Sequence, residues 1–270
     1  GEMIRAALDQ GCRNFIMGIG GSATNDGGAG MIQALGGRFL DSEGKELAFG
    51  GGALQNLARI DLSALDSRLK ESFFLVACDV DNPLTGPKGA SAVYGPQKGA
   101  TPEMIALLDQ ALSHYGEIAM ETTGQDCQNT PGAGAAGGLG SAFLFFTKCE
   151  LRPGIDIVLE TLKFDDKVID VDWVLTGEGQ TDFQTAHGKA PVGVAARAAK
   201  YGVPTLCLSG GLGENYQAVL AEGICGIKSI IPRPEMSLAE CMACSHELIA
   251  DASEQISRFI QVGYQIGQKK

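Results

Sequence analysis

The sequence predicts an α/β protein built on parallel β-sheet, and three observations carry that prediction. From residue 154 onward, apolar runs of strand length alternate with stretches of helix length, joined by short glycine-rich links. That alternation is the signature of right-handed βαβ units around a parallel sheet. Glycine supplies 38 of the 270 residues, about twice the usual ~7%. The glycines cluster at 18–30, 50–52, 132–140, 177–193 and 210–213 between apolar runs, where backbone turns sharply or approaches a ligand closely. Finally, 44% apolar and 20% charged residues describe an ordinary globular chain, long enough to bury roughly 70 to 75% of its unfolded surface in one large or two modest domains.

Each element follows from local pattern. Residues 2–9 (EMIRAALD) read as the end of an amphipathic helix stopped by Gly11, and Arg13–Gly18 (RNFIMG) as a buried strand. No strand precedes that helix, so residues upstream of position 1 are expected. A glycine loop at 18–28 leads to a short helix ending at Leu35, then Arg38–Leu40 and the turn Asp41-Ser42-Glu43-Gly44. Phe73–Cys78 (FFLVAC) is a strand that empties into a loop carrying Asp79, Asp81, Asn82 and Pro83. Thr101-Pro102-Glu103 places an N-cap, an N1 proline and a first-turn acid in the preferred order, opening a helix to about Met120. Residues 122–134 read as loop and 135–147 as a small-residue helix. Beyond it come a helix at 154–163, a strand at Trp173–Thr176, a helix near 189–200, a strand at Thr205–Ser209 and a helix at 214–222. A strand at Ile227–Ile231 and a long helix from about Ser237 close the series. Three strands make a narrow sheet, which further strands from upstream residues are expected to widen. No internal repeat is found.

Composition excludes several classes. With 21 Lys+Arg against 32 Asp+Glu, a formal charge of −11 opposes nucleic acid or an anionic membrane as main partner. No apolar run approaches ~18 residues and no basic-then-apolar leader opens the chain, so a cytoplasmic location is expected. Eight irregularly spaced cysteines suit a reducing compartment.

Three glycine-rich loops carry the candidate chemistry. The first, Gly18–Gly28 (GIGGSATNDGG), lies between a strand and a helix. Backbone N–H groups at Gly20 and Gly21 and the hydroxyls of Ser22 and Thr24 are candidate anion donors there. Asp26 opposes a bare phosphate unless Mg²⁺ intervenes; the alternative is a tight connection capped by Ser22 or Asp26. It is not a dinucleotide fingerprint, because position 23 is alanine. The second, Gly132–Gly137 (GAGAAG), does match G-x-G-x-x-G but follows polar loop rather than a strand. A close-packing connection is one reading and substrate contact the other. The third, Gly177–Pro191 (GEGQTDFQTAHGKAP), leaves the carboxyl end of a parallel strand, where open α/β sheets bind ligands. Its Glu178, Asp182, Gln184, Thr185 and Lys189 offer an acid pair and a lysine, the parts phosphoryl transfer needs. Asp182 as a cap with a solvated Lys189 is the alternative. A Walker-type loop is excluded, since Gly188-Lys189 is followed by Ala190. Asp79 and Asp81 are further metal or substrate candidates, against a turn-stabilising role. Cys241 and Cys244 read as small core residues rather than metal ligands, and His187 is a minor candidate.

Taken together, GIGGSATNDGGAGMIQALGGRFLD (18–41), ACDVDNPLTGPKGASAVYGPQKGA (77–100) and LTGEGQTDFQTAHGKAPVGVA (175–195) resemble the type-1 glycerate kinases. The resemblance covers the whole chain, which corresponds to roughly the C-terminal two thirds of the family; the family's opening strand and its Pro-Asp-Ser-Phe-Lys segment are absent. It implies an ATP-dependent kinase acting on D-glycerate, usually at the 2-hydroxyl. It also implies two α/β domains: a flavodoxin-like parallel sheet, and an inserted mixed-sheet domain resembling the restriction-endonuclease fold. On that map residues 1–150 are the insert and 151–270 the C-terminal part of the flavodoxin-like half. ATP and Mg²⁺ are the implied cosubstrate and metal, and a homodimer is left open. Asp182 is then the base or metal anchor, with Glu178 as second metal ligand, and Lys189 holds phosphate or carboxylate together with Ser22 and Thr24. One loop departs from the family pattern: Gln180, Thr181, Phe183 and His187 stand where Arg, an aliphatic residue, Ser and Gly are common. Losing that arginine removes a fork suited to phosphate, which bears on substrate preference or turnover. Two other readings remain open at this point: a nucleotide-cofactor oxidoreductase, and a truncated or divergent non-catalytic remnant that binds an anion or nucleotide.

Overall fold

The amphipathic N-terminal segment folds as α1 (Glu2–Asp9), which buries Ile4 and Leu8 one turn apart on a single face. The structure, a computed structural model, describes every residue except His187, Pro234 and Lys270. After α1 come β1 (Asn14–Gly18), α2 (Ala29–Ala34), β2 (Arg38–Leu40), β3 (Arg59–Asp61), β4 (Phe73–Ala77) and α3 (Ala90–Tyr94). Then follow α4 (Pro102–Thr123), α5 (Ala135–Phe146) and β5 (Cys149–Arg152). These elements form one compact unit, Gly1–Gly154. Its parallel sheet has the order β1-β4-β5, and β2 pairs antiparallel with β3. The mixed sheet expected of this half is not found among the described residues: the parallel strands and the antiparallel pair form two separate ladders.

The strand expected to be buried at Arg13–Gly18 is only half so. β1 lies at the edge of its sheet, and while Phe15 and Met17 pack on the core, Ile16 on the other face is 60% exposed. The strands β3 and β5 escape sequence reading because RID and CELR are too short and polar to show a two-residue period. By contrast α4 starts where its signals lie: Thr101 Oγ1 accepts the Met104 N–H at 3.3 Å, Pro102 is N1, and Gly124 ends the helix in the left-handed region. It buries Ala111, Leu112, Tyr115 and Ala119 at helical spacing against Phe39 and Phe145. Each fully buried side chain of Leu or Phe size contributes about 1.5–3 kcal/mol.

The second glycine motif makes a close-packing connection, and its Ala135 and Ala136 also line a cavity of the first unit. Ala136, Gly137 and Gly138 sit at φ of +55°, +71° and +89° inside α5, a left-handed kink. The Gly137 carbonyl oxygen accepts the Gly27 N–H at 2.9 Å, and a Cβ on Gly137 would stand 2.0 Å from the Thr24 carbonyl oxygen. The absence of a side chain there is what lets the kink lie against the first glycine loop.

The second compact unit, Ile155–Lys270, contains nearly all of α6 (Gly154–Thr161), then α7 (Phe164–Val168), β6 (Val174–Thr181), α8 (Ala190–Ala199) and β7 (Thr205–Leu212). β8 (Ile224–Ser229), α9 (Leu238–Ala243) and α10 (Ser245–Gly267) complete it. Its sheet is parallel in the order β6-β7-β8. Several boundaries differ from the sequence reading. The expected helix at 154–163 is α6, which ends at Thr161, and Lys163 at φ +51° separates it from α7, a helix the sequence reading lacks. The strands expected to stop at Thr176 and Ser209 run on to Thr181 and Leu212 in mutual register, Gln180 opposite Gly211. Ladder hydrogen bonds hold these glycine-rich stretches extended where propensity predicts loop. The 214–222 helix is a 3₁₀ segment (Tyr216–Glu222), and the last strand begins three residues earlier than expected, at Ile224. The terminal helix is interrupted at Cys244, whose Sγ donates to the Glu240 carbonyl oxygen. Cys241 is buried on α9, as a small core residue. No helix among the described residues is long and apolar enough to cross a membrane.

Candidate active site

In the first unit a cavity of about 260 Å³ opens at the carboxyl ends of β1 and β4, the edge where parallel sheets bind ligands. Gly20, Gly21 and Ser22 of the first glycine loop line it together with Asp79, Tyr94 and Lys98. Lys98 is the residue that sequence reading missed. Its Nζ donates to Ser22 Oγ at 2.9 Å and to the Thr24 carbonyl oxygen at 2.6 Å. Both acceptors are neutral, and burial pushes the lysine below its ordinary pKa while the charge of Asp26 partly opposes this. The available signal was the run Tyr94-Gly95-Pro96-Gln97-Lys98 within residues 77–100, in which a 3₁₀ turn at Pro96–Lys98 follows α3.

Other first-unit candidates are spent differently. Asp26 caps α2: its two carboxylate oxygens accept the Gly28 N–H at 3.0 Å and the Gly30 N–H at 3.2 Å. The capping alternative for Asp26 is thus the one realised, and its carboxylate is buried. Thr24 meets Lys98 through its carbonyl, not its hydroxyl. Asp79 lines the cavity while its Oδ1 accepts the Gly154 N–H at 2.8 Å. Asp81 is exposed and does not line the cavity with it. Tyr94 donates its hydroxyl to Asn82 Oδ1 at 2.6 Å, and burial raises its pKa.

In the second unit the third glycine loop begins as strand. Glu178 lies half-buried on β6 opposite Ser209 of β7. Thr181, fully buried, donates its hydroxyl to Glu178 Oε1 at 2.9 Å, so the closely placed Ser209 hydroxyl must donate to Thr181. This Ser209–Thr181–Glu178 chain fixes the carboxylate. Immediately after it, Asp182 Oδ1 accepts the Gln184 N–H at 2.9 Å, and Thr185, buried, uses its Oγ1 to accept the Asp182 N–H at 3.2 Å. Thr185 therefore shapes the turn. Lys189 Nζ stands 3.8 Å from Asp182 Oδ1 and 3.5 Å from Gln184 Oε1. Those two residues are its partners within the second unit. Phe183 and Gln180 are exposed, and His187 lies outside the described residues. No group of three or more His, Cys, Asp or Glu that could hold a metal ion occurs among the described residues. Mg²⁺ on a nucleotide needs only one or two carboxylates beside phosphate oxygens and waters, and Glu178 and Asp182 are of that type.

Two parallel sheets with polar loops at their carboxyl edges, one around a small cavity with an uncompensated lysine, define an α/β protein with small-molecule sites. Residues 1–261 match the Glycerate kinase family, and the chain belongs to that family. It is 56% identical over 232 residues to the glycerate kinase of Bacillus subtilis (strain 168), covering 86% of this chain and 61% of that protein. It is 46% identical over 263 residues to the glycerate 2-kinase of Escherichia coli (strain K12), covering 97% and 69%. The crystal structure of the "putative glycerate kinase 2" from Salmonella typhimurium LT2 is similar at a TM-score of 0.84 and 45% identity, over 98% of this chain and 68% of that one. The chain thus spans about three fifths to two thirds of the length of these relatives.

Proposed function

We propose that this chain is part of an ATP-dependent glycerate kinase that transfers the γ-phosphoryl group of ATP to the 2-hydroxyl of D-glycerate. The observation that carries this reading is the family match over residues 1–261, with relatives named glycerate kinase and glycerate 2-kinase. We assign the first unit to the inserted domain and the second to the C-terminal part of a flavodoxin-like domain, in a protein of the cytoplasm.

Phosphoryl transfer asks a protein chiefly for positioning and charge stabilisation. Asp182, held by the Gln184 N–H with its own N–H tied to Thr185, takes the proton of the attacking hydroxyl. Lys189, 3.8 Å away, offsets charge that develops on the transferring group. Glu178, oriented by Thr181, would hold Mg²⁺, which when bound neutralises charge on the β- and γ-phosphate oxygens.

A ³¹P NMR time course with Mg·ATP and D-glycerate, run on the longest translated form containing these 270 residues, tests the reading. A growing phosphomonoester signal is expected, its proton coupling marking the hydroxyl attacked. A silent spectrum from folded protein would overturn it.

A further inference from the structure

We propose that the cavity of the first unit is the acceptor subsite and that Lys98 reads the carboxylate of a short hydroxy acid there, in a lining that also holds Asp79. This deepens the kinase reading and rests on it for the identity of the acceptor.

Four observations converge. The cavity, about 260 Å³, is smaller than the roughly 300–1,000 Å³ that accommodates drug-sized ligands, which suits an acid of three or four carbons. Lys98 is half-buried, and no carboxylate among the described residues pairs with it; Asp26, the acid nearest in influence, is occupied by the Gly28 and Gly30 N–H groups. An ammonium has three N–H donors, and Ser22 Oγ and the Thr24 carbonyl take two. A part-buried charge held only by neutral acceptors is costly unless an anion completes it, and the third donor is the one available for that anion. Asp79, also in the lining, keeps one oxygen on the Gly154 N–H, leaving the other as a negative group that repels a carboxylate and accepts a hydroxyl. A ligand carrying both a carboxylate and a hydroxyl matches both groups; a neutral polyol matches only one.

The arrangement also fixes Lys98 itself. Both of its acceptors belong to the first glycine loop, whose Thr24 carbonyl is packed under Gly137. The ammonium is therefore held in place before a ligand arrives, so little side-chain entropy is lost on binding.

The test compares wild type with Lys98→Met and Lys98→Arg. Removing a hydrogen bond to a charged group costs roughly 10- to 100-fold in affinity. Lys98→Met is expected to raise the KM for D-glycerate by that factor, leaving the KM for Mg·ATP within about twofold, and Lys98→Arg to recover most of the loss. Saturation-transfer NMR on wild type, with D-glycerate, L-lactate and glycerol at equal concentration, gives a readout independent of turnover and of any variant's folding. D-Glycerate is expected to bind most strongly, lactate less and glycerol least. If wild type transfers no phosphoryl group yet binds D-glycerate in a Lys98-dependent manner, the kinase reading fails and the subsite stands. An unchanged D-glycerate KM in folded Lys98→Met, or glycerol binding as strongly as D-glycerate, would overturn the subsite whether or not the protein is a kinase.

Discussion

Gly137→Ala tests whether the kink in α5 is what seats the first glycine loop. A Cβ at this position would stand 2.0 Å from the Thr24 carbonyl oxygen and 2.8 Å from Asn25 Cα, backbone atoms that no rotamer change can move. Alanine must also adopt φ of +71°, a left-handed conformation worth about 1–2 kcal/mol against an L-residue. Forcing an extra methyl into packed structure costs typically about 1–3 kcal/mol, so the sum is about 2–5 kcal/mol. At about 2–4 °C per kcal/mol for a unit of this size, the first unit should melt about 4–20 °C lower. Gly124→Ala is the control, since Gly124 has φ of +74° but a Cβ there would meet nothing within 4 Å; only the conformational cost, about 1–2 kcal/mol, applies. Differential scanning calorimetry of both variants separates the two contributions. The packing argument predicts Gly137→Ala below Gly124→Ala by at least about 2–4 °C; equal melting temperatures would refute it.

Three further expectations follow from particular side chains. If Asp182 is the base, Asp182→Asn lowers kcat by roughly 10²- to 10⁴-fold in a protein that melts like wild type, and near wild-type turnover in the phosphoryl-transfer assay would remove it from that role. Asp165 is gripped by both Arg197 Nε at 2.7 Å and Nη2 at 2.6 Å, which holds its carboxyl below the usual range. A depressed folded-state pKa contributes stability that is present above the unfolded value, about 4, and lost as pH falls through the lower folded value. The urea midpoint of wild type should accordingly drop more between pH 5 and pH 2.5 than that of Asp165→Asn, and parallel curves would show the pair to be inert. Burial pushes the Cys149 thiol up to about 11, with the Thr147 hydrogen bond acting against it. Native protein treated with iodoacetamide at pH 8 should carry label on the exposed Cys12 and Cys225 well before Cys149, as read by peptide mass spectrometry.

Elements whose signals are local could be read directly from the chain. The helix α4 begins at Thr101-Pro102-Glu103 because a cap, a fixed proline φ and a first-turn acid act within one turn, and the parallel α/β character of the C-terminal half follows from alternating periods. The first glycine loop was also legible, since clustered glycine between an apolar strand and a helix has few other uses. Features that depend on partners distant in the chain came only with the folded arrangement. Whether GEGQT is loop or strand depends on β7 offering ladder bonds some thirty residues later. Asp26 lies in a loop that reads as an anion site, yet its carboxylate turns back onto Gly28 and Gly30 to cap α2. Lys98 stands 76 residues from Ser22, so no periodicity or motif connects them; that pairing exists because α3 and the 3₁₀ turn after it return the chain to the carboxyl edge of the sheet. Local propensity is written into consecutive residues, whereas a site assembled at a sheet edge is specified by which distant segments the core brings together.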